Sequence, residues 1–443
     1  LRPMRYTITG DNLLLVGSET GMVPFAESNV IEKGALGPGQ MIAVDMDAGR
    51  LFSDRALKDK VAAAKDYASL SANFIKFEEM PGAEDLEPAP AYEAAELRRR
   101  LVAAGMTMED MELILSPMVE TGKEAIGSMG DDTPLGVVST NPRTFSHFFR
   151  QNFSQVTNPP IDSLRESRVM SLKTRFSNFT NVLDEKADQK GVIVARSPVL
   201  TNRDWYRLKT HFGDTAAEID CTFDPAAPNG LREAIDRVRA EAERAVRSGQ
   251  AQLFLTDEQI GPDRQGITMI LAAAAVHTHL VRKGLRSFAS VNVRSAECLD
   301  THYFAVLIGV GTTTVNAYLA QSAIRQRHER GLFGDITFEE AMRRYKAAVD
   351  GGLLKIMSKM GISIISSYRG GYNFEAVGIS RALVNEFFPG MPAKISGEGF
   401  ASLQLSAVDR HRMAFDEDVI ALPVGGMYRY RSGGEPHAYQ ANL

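Results

Sequence analysis

From about residue 105 onward, short apolar runs alternate with longer amphipathic stretches. Gly136-Val-Val-Ser139, Gly191-Val-Ile-Val194, Ala251-Gln-Leu-Phe-Leu255, Phe288-Ala-Ser-Val-Asn-Val293 and Ile362-Ser-Ile-Ile365 have the length and composition of buried strands. Between the later runs, apolar positions recurring every three to four residues predict helices over 228–248, 263–283, 313–330, 337–351 and 380–388. Strands alternating with helices at this spacing predict an α/β domain over 105–405. Its sheet is mostly parallel, open or curled as a barrel.

The first 55 residues follow a different pattern. Leu13-Leu-Leu-Val-Gly17 and Met41-Ile-Ala-Val-Asp45 read as short strands, and Asp47-Ala-Gly49 reads as a hairpin turn into Arg50-Leu-Phe52. This antiparallel segment is too small to bury a core of its own. Residues 56–79 read as helical or irregular. Pro81-Gly82 and the acid- and proline-rich Glu84-to-Pro90 stretch open a linker over 81–104, which carries a helix from about Ala94 to Ala104. Beyond about 405 the alternation fades, and Pro423-Val-Gly-Gly426 opens turn-rich material.

Composition narrows the function. A formal charge of −5 over 443 residues leaves no face-wide excess of Lys and Arg, which argues against a nucleic-acid footprint. The basic cluster Arg98-Arg99-Arg100 reads as a solvated helix face. Two cysteines, Cys221 and Cys298, are too few to hold an iron–sulfur cluster, and their spacing suits neither a metal site nor a disulfide framework. The longest apolar run, Ile267 to Val281, is interrupted by His277 and His279 and is shorter than a membrane span. A reducing, cytoplasmic setting fits these features. The chain starts at Leu1, without an initiator Met or a signal-peptide pattern, and reads as part of a longer protein.

Candidate chemistry is sparse, and no nucleophile–base pair stands out. Gly127-Ser-Met-Gly-Asp-Asp132 reads as a phosphate cradle with an acid pair, or as a tight loop whose Asp131 and Asp132 bond backbone amides. The Walker and GxGxxG spacings are both absent. His277 and His279 point apart on a helix, which favours a structural role over a metal. His302 reads as a packed histidine, and the Met357…Met360 pair as core. Gly309-Val-Gly311 followed by three threonines reads as a strand-to-helix turn, with anion binding as the alternative. Ser367-Tyr-Arg-Gly-Gly371 reads as following a strand and preceding a helix. Arg369 there can meet a carboxylate or phosphate ligand, although a structural Arg–carboxylate pair is the favoured reading.

Several longer words point further. Gly127-Ser-Met-Gly-Asp-Asp-Thr-Pro134, Gln151 to Glu166 with its Asn158-Pro159-Pro160 turn, Met170-Ser-Leu172, His302-Tyr-Phe-Ala305, Asn316-Ala-Tyr-Leu319 and Lys355 to Ile362 resemble, in order, the central domain of the glutamate synthase large subunit. Leu1-Arg-Pro-Met-Arg-Tyr6 with Val30-Ile-Glu-Lys-Gly34 is similar to the last strands of its class II glutamine amidotransferase domain. Leu422-Pro-Val-Gly-Gly426 to His437 is similar to the start of its FMN-binding synthase domain. One run departs from the family pattern: Arg294-Ser-Ala-Glu-Cys-Leu299 ends in Leu299 where the pattern has an arginine.

The resemblance implies four segments. Residues 1–80 end an Ntn-type amidotransferase domain, 81–104 link, 105–405 form a central domain shaped like a reduced β/α barrel, and 406–443 begin the synthase domain. It implies an enzyme that makes glutamate from glutamine and 2-oxoglutarate by channelling ammonia and reducing an imine. The segment itself is non-catalytic and binds no cofactor or metal. FMN and a 3Fe-4S cluster belong to the full-length subunit, which in an NADPH-type bacterial enzyme partners a small electron-transfer subunit carrying FAD and iron–sulfur centres. Met129, Thr157 and Asn158 are then candidates for the ammonia passage, and Asp131, Asp132 and Arg369 for domain interfaces. Two rivals remain: a stand-alone α/β ligand-binding domain using the 309–314 and 367–371 loops, and a purely structural interaction module.

Overall fold

Five parallel strands form the central sheet of the larger unit: Val199–Leu200, Ala216–Asp220, Gln252–Thr256, Ser290–Arg294 and Thr314–Asn316. The structure, a computed structural model, describes residues 4–71, 74–82, 89–125, 132–153, 165–176 and 192–438. From Ala216–Asp220 to Thr314–Asn316 each strand lies beside its predecessor, with a helix between successive strands. The first strand, Val199–Leu200, pairs with the last.

The two middle strands, Gln252–Thr256 and Ser290–Arg294, are buried along their whole length, as expected where helices cover both faces. Some of their polar positions are bonded inside the sheet, although Gln252 Nε2 and Ser290 Oγ have no hydrogen-bond partner among the described residues. Asn292 donates to Gln252 Oε1 at 3.1 Å, and the Thr314 hydroxyl donates to Asn292 Oδ1 at 2.7 Å. A buried polar group without such a partner is destabilising, so this ladder also fixes register. Trp205, from helix Asn202–Phe212, stands edge-on to Phe254 at 4.9 Å within a smaller core cluster. That helix starts at a reciprocal cap between Thr201 and Asp204. The 23-residue helix Phe338–Met360 starts at the Thr337 cap and stops at Gly361, which has φ +72°.

The chain divides into two compact units between Asn73 and Phe74. In the smaller, Met4–Thr9 pairs antiparallel with Leu14–Gly17 and Val30–Leu36, and Ala43–Asp45 pairs with Arg50–Phe52 through the expected hairpin. The turn places Gly49 at φ +59°. Apolar side chains there remain exposed, including Val16, Ile31 and Met46.

Several expectations need correction. The boundary at 80 is too late: Ile75–Lys76 pairs with Ile193–Ala195, and Phe77 and Met80 are core residues of the larger unit. The helix expected from about Ala94 to Ala104 is present as Ala94–Ala103, and its Leu97, Leu101 and Val102 are buried. The boundary at 405/406 falls inside the helix Phe400–Ala414. Gly136–Val138 is a 3-10 turn and Ile365–Tyr368 a helical turn, because two apolar residues in a row fit a buried turn as well as a strand. Ile193–Ala195 is a strand, but of a separate three-stranded sheet.

Candidate functional site

In α/β folds, ligands sit beyond the carboxyl ends of the parallel strands. Here those ends converge on Arg294, a buried residue at the end of its strand. Its Nε and Nη2 grip both oxygens of Glu258 at 3.0 Å each. Its Nη1 donates to Asn202 Oδ1 at 2.9 Å and Asn316 Oδ1 at 2.8 Å, and its guanidinium lies 4.8 Å from the Tyr318 ring centre. These partners come from three other strand ends or the segments that follow them. Beside them, both Asp257 oxygens accept from the Ala296 amide, and burial pushes the Asp257 carboxyl up to about 8. Where an enzyme of this architecture keeps its substrate, this chain holds a self-satisfied ion pair.

A cavity of about 250 Å³ lies against this end of the domain, between the 102–114 region, the start of helix Thr301–Gly309 and the 423–435 segment. Leu299, at the point of departure from the family pattern, lines it. So do five carboxylates: Glu109, Asp110, Glu297, Asp300 and Glu435. Glu109 accepts the backbone N–H groups of Met427, Tyr428 and Arg429 at 2.5, 3.0 and 2.9 Å, an anion-holding nest opened by Gly425 and Gly426 at positive φ. Burial raises the Asp110 carboxyl to about 6, although Thr107 donates two bonds to it. Glu297 accepts from Thr268 at 2.7 Å and Tyr303 at 2.6 Å, with Arg410 at 3.4 Å. At about 250 Å³ the space suits a small metabolite.

The anticipated site residues scatter. Met129, Asp131, Thr157 and Asn158 lie outside the described residues. Asp132 is bound to His437 Nδ1 at 2.8 Å, and its carbonyl accepts from the Ala438 amide. The 309–314 loop runs from helix to strand, the reverse of the expected order, because Thr314–Asn316 pairs into the sheet. Gly311 has φ +114°, and a side chain there would overlap the His277 ring. Thr312, Thr313 and Thr314 are buried, and Thr313 Oγ1 accepts the Val291 amide at 3.0 Å, so the loop offers no anion cradle.

The 367–371 loop is likewise reversed: it follows the helical turn Ile365–Tyr368 and precedes strand Phe374–Ile379. Among the described residues Arg369 forms no Arg–carboxylate pair. Its Nε and Nη2 are buried without a hydrogen-bond partner, and burial next to Arg286 lowers its guanidinium to about 10. Arg286 donates to His277 Nδ1 at 3.0 Å and to the carbonyls of Ala289 and Gly311. Burial, reinforced by Arg286, depresses His277 to about 3. His279 pairs with Glu243 at 2.6 Å, and His302 Nε2 meets the Ser146 carbonyl at 3.0 Å. Cys221 and Cys298 are buried and free. Among the described residues no cluster of His, Cys, Asp and Glu could hold a metal, and no helix is long and apolar enough to cross a membrane.

Comparison with known families gives two matches. The glutamate synthase central domain matches residues 99–380, and the class-II glutamine amidotransferases match residues 1–70. The chain is 58% identical over its whole length to the glutamate synthase [NADPH] large chain of Azospirillum brasilense, of which it covers 29%. Over 99% of its length it is 36% identical to the glutamate synthase [NADPH] large chain of Bacillus subtilis and 38% identical to the ferredoxin-dependent glutamate synthase 2 of Synechocystis, covering 28% and 29% of those proteins. The chain thus spans about 29% of the length of the curated relatives it matches.

Proposed function

The chain belongs to the glutamate synthase family, and from this we propose that it is the connecting part of a glutamate synthase large chain. The observation that carries the reading is the Arg294–Glu258 pair with its Asn202 and Asn316 partners, which occupies the strand ends where a catalytic α/β domain keeps a ligand. A domain so filled contributes by holding its neighbours in place rather than by chemistry.

The cyclic strand order supports a reduced barrel. Every parallel pairing of a closed five-stranded ring is present except that between Val199–Leu200 and Ala216–Asp220. The exposed apolar residues of the 1–73 unit suit strands that continue into a larger amidotransferase sheet. The 423–438 segment, held by Glu109 and Asp132, suits the first part of a synthase domain seated on its connector.

In this reading the whole protein splits glutamine, passes ammonia internally, and reduces the imine formed with 2-oxoglutarate. FMN and a 3Fe-4S cluster sit in the synthase domain, and a small FAD and iron–sulfur subunit supplies electrons from NADPH. The strong likeness to an NADPH-type large chain supports that donor. The setting is the cytoplasm, with neither nucleic acid nor membrane as partner. Met129, Thr157 and Asn158 line the ammonia passage, and Asp131 and Asp132 steady the loop that faces the neighbouring domains. Arg369 is the domain-interface candidate of the 367–371 loop, its buried Nε and Nη2 lacking a hydrogen-bond partner among the described residues.

The stand-alone ligand-binding rival loses its seat at 309–314, where threonines fill the loop. The test is reconstitution. The full-length protein carrying this segment, with its small subunit, converts glutamine, 2-oxoglutarate and NADPH to glutamate. Failure of the full-length protein to do so contradicts the reading.

A further inference from the structure

The segment 423–438 is docked on the domain mainly by polar bonds. One set of ties lies on 108–112. Glu109 accepts the amides of Met427, Tyr428 and Arg429, Glu112 pairs with Arg431 at 2.9 Å, and the Pro423 carbonyl accepts the Met108 amide at 2.8 Å. The other set lies on 132–143. Asp132 holds His437, and its carbonyl accepts the Ala438 amide at 3.1 Å. Glu435 is buried and accepts from the Ser139 hydroxyl at 2.7 Å and from Asn141 Nδ2 at 3.2 Å, with Arg143 at 3.4 Å. Apolar packing is slight: no apolar side chain of the segment is buried, and Val424 and Tyr430 are exposed.

The segment is also bonded to itself. The Glu435 amide donates to the Gly425 carbonyl at 3.0 Å, the Gly434 amide donates to the Arg431 carbonyl at 3.0 Å, and His437 Nε2 meets the Gly426 carbonyl at 2.7 Å. A stretch closed on itself, with few apolar contacts outside, is the kind that opens locally as one body. Its two sets of ties are coupled through buried charge. Freeing one end alone leaves Glu109, which is 1% exposed, or Glu435, which is 3% exposed, buried without its donors. Lifting the whole segment returns both carboxylates to water, so half-open states are disfavoured. The segment also walls the 250 Å³ cavity, through Pro423, Gly425, Met427 and Glu435. Other lining residues, Met106, Leu299 and Tyr303, are buried with the segment docked.

We propose that 423–438 is a latch: it docks and lifts as one unit, and lifting it opens the 250 Å³ cavity to solvent. Its two catches are Glu109 on the domain and Glu435 on the segment. Weakening either catch loosens the other, although their partners lie on different stretches of the domain. Opening therefore frees 108–112 and 139–143 together. The assignment stands on the bonds and the burial. It holds whether or not the protein is a glutamate synthase.

Hydrogen exchange of the full-length protein carrying this segment, read by mass spectrometry, tests it. Glu435→Gln weakens the catch on 139–143 and should speed exchange of the 427–429 amides at the other end by about tenfold. Glu109→Gln should do the same at Ala438, while strand Gln252–Thr256 keeps its protection. Should these variants fail to fold, Arg431→Ala decides: it cuts only the partly exposed tie to Glu112, and should speed both ends by one smaller, equal factor. Access to the cavity is read by alkylation. Leu299→Cys places a thiol on its wall, and combining it with Glu435→Gln or Arg431→Ala should speed reaction of position 299 with iodoacetamide by the same factor as exchange. Faster exchange confined to the altered end, protection lost across 252–256 as well, or alkylation that does not follow exchange overturns the proposal.

Discussion

Asp132 Oδ1 and His437 Nδ1 lie 2.8 Å apart, although 305 residues separate them along the chain. The other ring nitrogen of His437 faces the Gly426 carbonyl at 2.7 Å. Two acceptors on one imidazole demand two N–H groups, so the protonated ring is the form that fits. The bond to Gly426, followed by that to Asp132, raises the His437 pKa above its ordinary value.

The sign of the pH dependence follows. A raised folded-state pKa contributes stability that is fully present below about pH 6.5, the unfolded value, and is lost as pH rises through the folded value. Docking of 423–438 onto Asp132 therefore loosens on going from pH 6 to pH 8. An NMR titration of His437 should give a midpoint above 6.5, and Asp132→Asn should lower it. A midpoint at or below 6.5 removes this switch.

The Arg294 network should be costly to break and cheap to replace. Glu258→Gln leaves the buried Arg294 charge without its counter-ion and should cost about 3–5 kcal/mol, whereas Arg294→Ala leaves a carboxylate that is 30% exposed and should cost less on that count. Replacing Arg294 and Glu258 together by apolar residues of similar volume should cost distinctly less than the sum of the single changes. Urea denaturation of the four proteins measures this cycle, and strict additivity would show that the two residues act separately.

Two glycines should respond in opposite senses to the same substitution. Gly311→Ala meets both φ +114° and the His277 ring, and should destabilise by about 2–4 kcal/mol. Gly351 lies exposed in helix Phe338–Met360 with nothing near its missing Cβ, so Gly351→Ala should stabilise by about 0.5–1 kcal/mol. Thermal melts read both, and effects of the same sign would contradict the local geometry.

The proposed ammonia passage is tested in the full-length protein. Thr157→Val or Met129→Trp should lower glutamine-dependent glutamate synthesis while glutamine hydrolysis continues, so that the two activities uncouple. Equal loss of both, or coupling that stays tight, assigns these residues to structure alone.

Much of the architecture was legible because helix periodicity survives burial. The stretch 228–248 became Gly230–Arg247, and the runs at 251–255 and 288–293 became central strands. Edge strands were harder. Ala216–Asp220 reads Ala-Ala-Glu-Ile-Asp, with little β-branched content, and its strand state comes from pairing with Gln252–Thr256. Thr314–Asn316, which lies inside the sheet, was hidden by hydroxyls that read equally as helix caps. The Arg294 network was invisible for a different reason. Asn202, Glu258, Arg294 and Asn316 share no local pattern, and only the parallel sheet brings their strand ends together. The cavity was equally hidden, since its walls come from stretches about 300 residues apart.

The central claim, that this segment connects catalytic domains without catalysing, is tested most directly by assaying the purified 443-residue chain beside the full-length protein. Both are given glutamine, 2-oxoglutarate, FMN and a reductant, and ammonia release, glutamate formation and flavin retained through gel filtration are followed. The account predicts glutamate from the full-length protein, and neither turnover nor a retained flavin band from the chain alone. Glutamine hydrolysis, or a flavin absorbance that stays with the isolated chain, would contradict it.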